Sequence, residues 1–365
     1  MAIYAYVAPQ SDDALSIFDV SNPAAPSLKG NIRGAGNPNY LGQPNGVFVL
    51  GDYAYVVSRF DNALSIFDIS DPATPTLKGS IQGGGAPNYL LGASGVYVVG
   101  DYAYVVAHND EALSIFDISG PGNPTFKGSI RGGGDGNYLD GPYDVFVLGS
   151  YAYVAVYADD ALTIIDVSDP ENPSFKGSIQ GAGAPNYLSG PYGVFVLGGY
   201  AYVVTLLDNS LSIFDVSNPA APSLKGSIQG AGAEPWLGQA RTVFVVGDYA
   251  YVAASADDAL TIIDVSDPVN PSFKGSIRGG GNGNYLNGAF GVFVLGDYAY
   301  VSVLTDDALT IIDVSNPATP TFEGSIQGAG APNYLDGAYR LFVKEEEPTG
   351  MKGLGPGAMA TLIGV

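Results

Sequence analysis

The chain has no cysteine, one histidine and one tryptophan. Without thiols, disulfides and thiolate chemistry are excluded, and a lone histidine cannot assemble a His/Cys zinc set. Basic residues are scarce too. Lys and Arg total 14 against 36 Asp and Glu, a formal net charge of −22, although only 14% of residues are charged. Nucleic acid is bound through clustered Lys and Arg that release counterions, so no nucleic-acid partner is expected. An acidic surface favours solubility and, secondarily, attracts cations. No run is long and apolar enough to span a bilayer as a helix, so direct membrane insertion is not expected. No signal peptide precedes the strand-like Ile3-Tyr4-Ala5-Tyr6-Val7. No segment shows helical periodicity over a useful length.

Glycine (51 residues), tyrosine (25) and an apolar share of 46% dominate instead. This suits many short strands joined by tight turns. Tyr-Ala-Tyr-Val begins at Tyr4, Tyr53, Tyr102, Tyr151, Tyr200, Tyr249 and Tyr298, always 49 residues apart. A fixed period of this length with four strands per copy is the signature of propeller blades. Within one copy, Gly95–Val99, Tyr102–Val106, Ala112–Ile118 and Thr125–Ile130 read as strands one to four, separated by Gly-Asp, Asn-Asp-Glu and Pro/Gly-rich turns. Strand one reads as small, apolar and uncharged, fit for packing around an axis. Strand four carries Lys29, Lys78, Lys127, Lys176, Lys225 and Lys274, with Glu323 in the last copy. A charge there suits an outer edge. The chain opens on strand two of a blade, and Arg340-Leu341-Phe342-Val343 aligns with Gly46-Val47-Phe48-Val49. The C-terminal piece thus supplies the missing inner strand. The fold class expected is all-β: a seven-bladed propeller of four antiparallel strands per blade over residues 1–344, closed by the two ends, followed by a Gly-rich tail or linker over 345–365.

Ala161-Leu162-Thr163-Ile164-Ile165-Asp166-Val167-Ser168-Asp169-Pro170-Glu171-Asn172-Pro173, with the Tyr-Ala-Tyr-Val strand before it, resembles the LVIVD repeat. The resemblance covers all seven periods, roughly residues 2–343. It implies a β-propeller of a kind often found in bacterial or archaeal surface proteins, and it brings no established catalytic residues. The copies are unusually uniform: Leu15 to Gly30 and Leu211 to Gly226 are identical.

Positions alike in every copy serve the blade, whereas positions that differ are free or serve something asymmetric. The differences gather in two places. One is the turn between strands two and three, with Arg59-Phe60, His108-Asn109, Tyr157-Ala158 and Leu206-Leu207. The other is the residue just before the inner strand: Asn45, Ser94, Tyr143, Tyr192, Arg241, Phe290 and Tyr339. In an antiparallel four-stranded blade both lie at the same end, so both ring one face. Trp236, which replaces a connector tyrosine of the other copies, is assigned to that face as well. A concave face offering Arg59, Phe60, His108, Tyr143, Tyr157, Tyr192, Trp236, Arg241, Phe290 and Tyr339 suits recognition of a protein, peptide or glycan. Drift in exposed turns is the plain alternative, but drift would also have diversified the opposite face.

Other chemistry is read as structural. Asp19 and its six counterparts end strand three before a Ser-x-Pro turn, which a side-chain cap explains. The paired acids Asp12-Asp13, Asp159-Asp160, Asp257-Asp258 and Asp306-Asp307 are turn residues, and no interleaved Asp-x-Asp-x-Asp-Gly calcium loop exists. Asp135 and Asp140 are the better-placed pair for Ca²⁺, but no cofactor and no metal site is expected. His108, with Asp110 two residues on, reads as a loop histidine rather than a triad base. The Gly-rich connectors precede no helix and are not phosphate loops. The reading is therefore a non-enzymatic binding scaffold, with an extracellular or cell-surface setting implied by the family. The alternative is a structural subunit whose apolar tail, residues 349–365, joins rings into a homo-oligomer or filament. A hydrolase or lyase with its site at the ring's mouth is the third reading.

Overall fold

A computed structural model describes residues 1–132, 136–279 and 283–346. The tail expected to drive self-assembly and Asp135 of the calcium pair lie outside the described residues. The described chain forms seven four-stranded antiparallel sheets. Blade 3 shows the pattern: Ala93–Val99 innermost, then Tyr102–Ala107, Ala112–Asp117 and Thr125–Arg131 outermost. Blades 2 to 7 are built in this way from consecutive strands. Blade 1 takes its three outer strands from Ile3–Pro9, Ala14–Asp19 and Ser27–Arg33, and its inner strand from Ala338–Glu345. Tyr6 pairs with Phe342 in this sheet. The ring is closed by backbone hydrogen bonds, as the alignment of the ends requires.

The middle strands carry the core. Their side chains, such as Tyr6, Leu15, Ile17 and Phe18, have no solvent exposure. Both faces of each sheet are covered by neighbouring blades, so these strands are apolar without alternation. Blades approach so closely that one glycine per copy is obligatory. A Cβ on Gly177 of blade 4 would lie 2.5 Å from the carbonyl oxygen of Pro219 in blade 5, and one on Gly324 of blade 7 would lie 2.3 Å from that of Pro23 in blade 1.

Polar side chains tie the turns. Asp68 accepts hydrogen bonds from the backbone N–H and hydroxyl of Ser70, the cap expected, and these bonds with Lys78 hold its carboxyl below the usual range. Of the paired acids, Asp257 accepts from Gly232 and Gly238 N–H in its own blade's connector, while Asp258 accepts from Gly288 N–H at the next blade. Turn carboxylates therefore clasp each blade and link it to its neighbour. The outer-strand lysine sits at a β-bulge: Ile115 pairs with Gly128 and Phe116 with Phe126, leaving Lys127 unpaired between them. A bulge and a charge together blunt the exposed edge.

The inner strands differ from expectation in two ways. They are not uniformly small or uncharged: Phe48, Tyr97, Phe146, Phe195, Phe244, Phe293 and Phe342 form a closed aromatic belt with neighbouring centroids 4.7–5.0 Å apart. Asp144 and Arg340 also stand on them. And each strand begins two residues earlier than the glycine or its counterpart, so the variable residue lies on the strand itself.

The blade-to-blade contact gives a paired prediction. Gly177→Ala costs about 1–3 kcal/mol because its methyl group meets backbone that cannot yield. Gly120→Ala, in a turn with open space around it, changes stability by less than about 1 kcal/mol. Urea melts of the two variants check the difference.

Candidate functional site at the mouth of the ring

The variable inner-strand residue is a β-bulge in every blade. Pro142 pairs with Val156 and Asp144 with Ala155, leaving Tyr143 without a partner. The same slip isolates Asn45, Ser94, Tyr192, Arg241, Phe290 and Tyr339. A bulge re-aims the residue it isolates. Beside each bulge lies the variable turn of the same blade, joined to the incoming connector by backbone hydrogen bonds such as Arg59 N–H to Gln43 carbonyl and Tyr157 N–H to Gly141 carbonyl. The two variable clusters thus share one end of the ring.

The aromatics meet there. Tyr143 stacks on Tyr192 at 4.4 Å between centroids, Tyr192 meets Phe290 edge-on at 5.7 Å, and Phe290 lies 3.7 Å from Tyr339. The hydroxyls of Tyr192 and Tyr339 are hydrogen-bonded to each other, joining blades 5 and 1 across the mouth. Tyr192, Phe290 and Tyr339 are buried, so the centre of the expected concavity is filled by an aromatic plug. Burial first, then the neighbouring Tyr339, pushes the Tyr192 phenol well above its usual value.

The rim follows the order of the blades. Phe60, on blade 2, is 68% exposed, and its neighbour Arg59 acts electrostatically on His108 and Tyr143. His108, on blade 3, packs 4.8 Å from Tyr143 of blade 4, which also meets Tyr157 at 5.6 Å. Arg241, on blade 6, lies 5.0 Å from the Tyr192 centroid and 5.2 Å from that of Phe290. Nine of the ten expected residues therefore stand at one mouth. Trp236 does not join the plug: it sits in the connector with φ of 49°, and the Arg278 guanidinium stacks 3.5 Å from its ring centroid. Tyr89 and Tyr334 carry Arg131 and Arg33 in the same way, so Trp236 belongs to a repeated clamp on the outer strand.

Next to the plug lies an ion pair absent from the expectations. Arg340 of blade 1 meets Asp144 of blade 4 at 3.0 Å, with side chains only 16% and 15% exposed. Burial works against the Arg340 charge, but Asp144, Tyr192 and Tyr339 hold its pKa above the usual value. The signal was present: the other copies hold Gly or Thr at this position, and the two charges that occur there are opposite. No group of three or more His, Cys, Asp or Glu side chains gathers to hold a metal ion among the described residues. Asp140 is instead raised in pKa by burial and by Glu111 and Asp159.

Two predictions follow from these environments. Burial, then Arg59, depresses the His108 pKa below 6.5. The single imidazole signal in an NMR titration should therefore show a midpoint below 6.5, and Arg59→Gln should move it upward. Asp144→Asn leaves Arg340 buried without a counter-charge and costs about 3–5 kcal/mol. Asp144→Gly with Arg340→Thr, which installs residues found in the other copies, loses less than that single change in chemical denaturation.

Comparison with known proteins places this architecture. No curated protein matches the sequence. Among solved structures, the periplasmic gluconolactonase of Pseudomonas aeruginosa superimposes with a TM-score of 0.73 at 13% identity, covering 94% of this chain and 99% of that one. A protein from Lactobacillus plantarum gives 0.72 at 14% identity over 94% and 100%, and a functionally unknown protein from Desulfotomaculum acetoxidans gives 0.69 at 14% identity over 94% and 99%. At such identities the likeness is one of fold. LVIVD repeats match residues 3–33, 41–82, 92–131, 143–180, 192–229, 237–278 and 288–327. With one match in every blade, the chain belongs to the LVIVD repeat family.

Proposed function

We propose that this protein is a non-enzymatic propeller scaffold that recognises a protein, peptide or glycan partner at the variable mouth of its ring. One observation carries the reading: Tyr, Phe, Arg, His and Leu replace one another from copy to copy where bulged inner-strand residues and the adjoining turns converge on one end, whereas the turn between strands three and four exchanges mainly small and polar residues, from Ala24-Ala25 to Glu171-Asn172. Part of this variation builds the buried plug of Tyr192, Phe290 and Tyr339, but the exposed part of it has no task within the blade. Exposed Phe60, with partly exposed Tyr157, Tyr143 and Arg241, supplies the aromatic and guanidinium contacts that dominate binding energy at protein surfaces. A cell-surface setting, implied by the family resemblance, accords with such a role.

The name of the Pseudomonas aeruginosa neighbour brings a lactone-opening enzyme into view as a second reading. It has one point in its favour here, the gathering of Arg59, His108 and Tyr143 at the mouth. Against it, the likeness to that neighbour is at 13% sequence identity and one of fold alone.

The test is a screen of glycan and peptide arrays with the full chain, followed by Phe60→Ala with Tyr157→Ala. The expected outcome is a loss of at least about tenfold in affinity for any ligand found, with unchanged melting. Full retention of binding, or a ligand mapped to the opposite face, contradicts the scaffold reading. Hydrolysis of gluconolactone above the spontaneous rate contradicts the non-enzymatic part.

A further inference from the structure

We propose that the mouth accepts an acidic segment of a partner protein, with Arg59 and Arg241 as the groups that receive its carboxylates. This rests on the reading of the mouth as the recognition face and names the chemistry of what it recognises.

The argument starts from how the few basic residues are used. Outer-strand lysines such as Lys78 and Lys225 face the aspartate that ends strand three of their own blade, at 3.6 and 3.0 Å. Arg33, Arg131 and Arg278 clamp connector aromatics, and each Nε donates to a turn carbonyl. Arg340 has Asp144, and Lys344 donates to the Gly51 carbonyl at the opposite end. Arg59 and Arg241 form no ion pair among the described residues, in a chain with 36 acidic side chains. Lys29, Arg131 and Arg278 also form none among the described residues, but each lies over an aromatic ring away from the mouth, so Arg59 and Arg241 are set apart by their place. Both stand at the mouth, at positions where other copies hold uncharged residues.

Arg241 is held ready by neutral groups. Its Nε donates to the Ser255 hydroxyl at 3.0 Å and a terminal nitrogen donates to the Gln239 side-chain oxygen at 3.3 Å. Its guanidinium rests over Tyr192 and Phe290, so its position is set before any ligand arrives. The Arg59 charge acts on Tyr143 from the other side of the rim, and Arg241 acts on the same phenol. Two guanidiniums thus act on one aromatic floor, and the Asp144 carboxylate beside it is taken up by Arg340. Guanidinium forks pair with carboxylates through two parallel hydrogen bonds.

The apolar surroundings favour a polypeptide. Phe60, Leu91 and Leu207 are 68%, 42% and 56% exposed on this same end of the ring. Aliphatic side chains of a peptide can pack on Leu91 and Leu207, whereas a polyuronate would use the arginines and leave both leucines bare. The net charge of −22 disfavours acidic partners in general, so the two arginines on the aromatic floor fix where the carboxylates of such a partner are received.

The test is panning of a random peptide phage library against the full chain, then against Arg59→Gln alone and Arg59→Gln with Arg241→Gln. The expected result is recovery of peptides rich in Asp and Glu, weakened in the single variant, whose melting is unchanged, and by at least about tenfold in the double variant. Arg59→Gln alone keeps the test valid, since it leaves the stacked Arg241 in place. Neutral or basic peptides, or acidic peptides indifferent to both arginines, overturn the proposal. Binding of polygalacturonate but of no peptide also overturns it while leaving the recognition face intact. If Phe60→Ala with Tyr157→Ala leaves all binding unchanged, the recognition face itself falls.

Discussion

The pairing of residues 338–345 with Ile3–Pro9 is the constraint on which this molecule depends. A sheet with a free face or an unpaired inner edge exposes apolar surface and backbone donors alike. Seven blades that each bury both faces leave no spare neighbour, so the first and last copies must meet. Here they meet inside one sheet, with seven Cα partners from Ile3–Glu345 to Pro9–Ala338. The belt from Phe48 to Phe342 and back to Phe48 is continuous only because that blade is complete.

Closure also explains why aromatic and arginine variation is concentrated at one end. Identical blades impose identical demands on the middle strands, on the interblade glycines and on the aspartate clasps. Substitution there would be repeated as a clash with the next blade. The bulge residues are released from ladder pairing and point into the mouth, where seven positions can hold seven different side chains. Tyr192 and Tyr339 can then reach across the ring, and Arg340 can find Asp144. These are contacts between non-neighbouring blades, which no strictly repeated sequence could make.

Much of this was legible in the residues. The period, the four strands per copy, the closing strand and the shared end of the variable positions all rest on local pattern and antiparallel connectivity. What was not legible depends on ladder slip and on the axis. Asn45 and its counterparts read as preceding the inner strand because the glycine after most of them looks like a strand start. Only the pairing of Pro44 with Ser58 and Gly46 with Val57 shows the strand running past a bulge. Trp236 was grouped with the mouth by chain position, but its connector turns the ring outward beneath Arg278. The plug was hidden for a similar reason: whether Tyr192 and Phe290 line an open cup or fill it depends on the ring's diameter. The Arg340–Asp144 pair could have been inferred from its opposite charges, and the aromatic belt from an aromatic residue at every period.

Ring closure is tested most directly by cysteines placed at Ala5 and Val343, which are Cα partners in blade 1. The chain has no other thiol. Such neighbours lie within reach of a disulfide. Mild oxidation of the double variant should yield a monomer with no free thiol and a higher melting temperature. Two free thiols, or covalent dimers in place of the internal bridge, would contradict a closed seven-bladed ring.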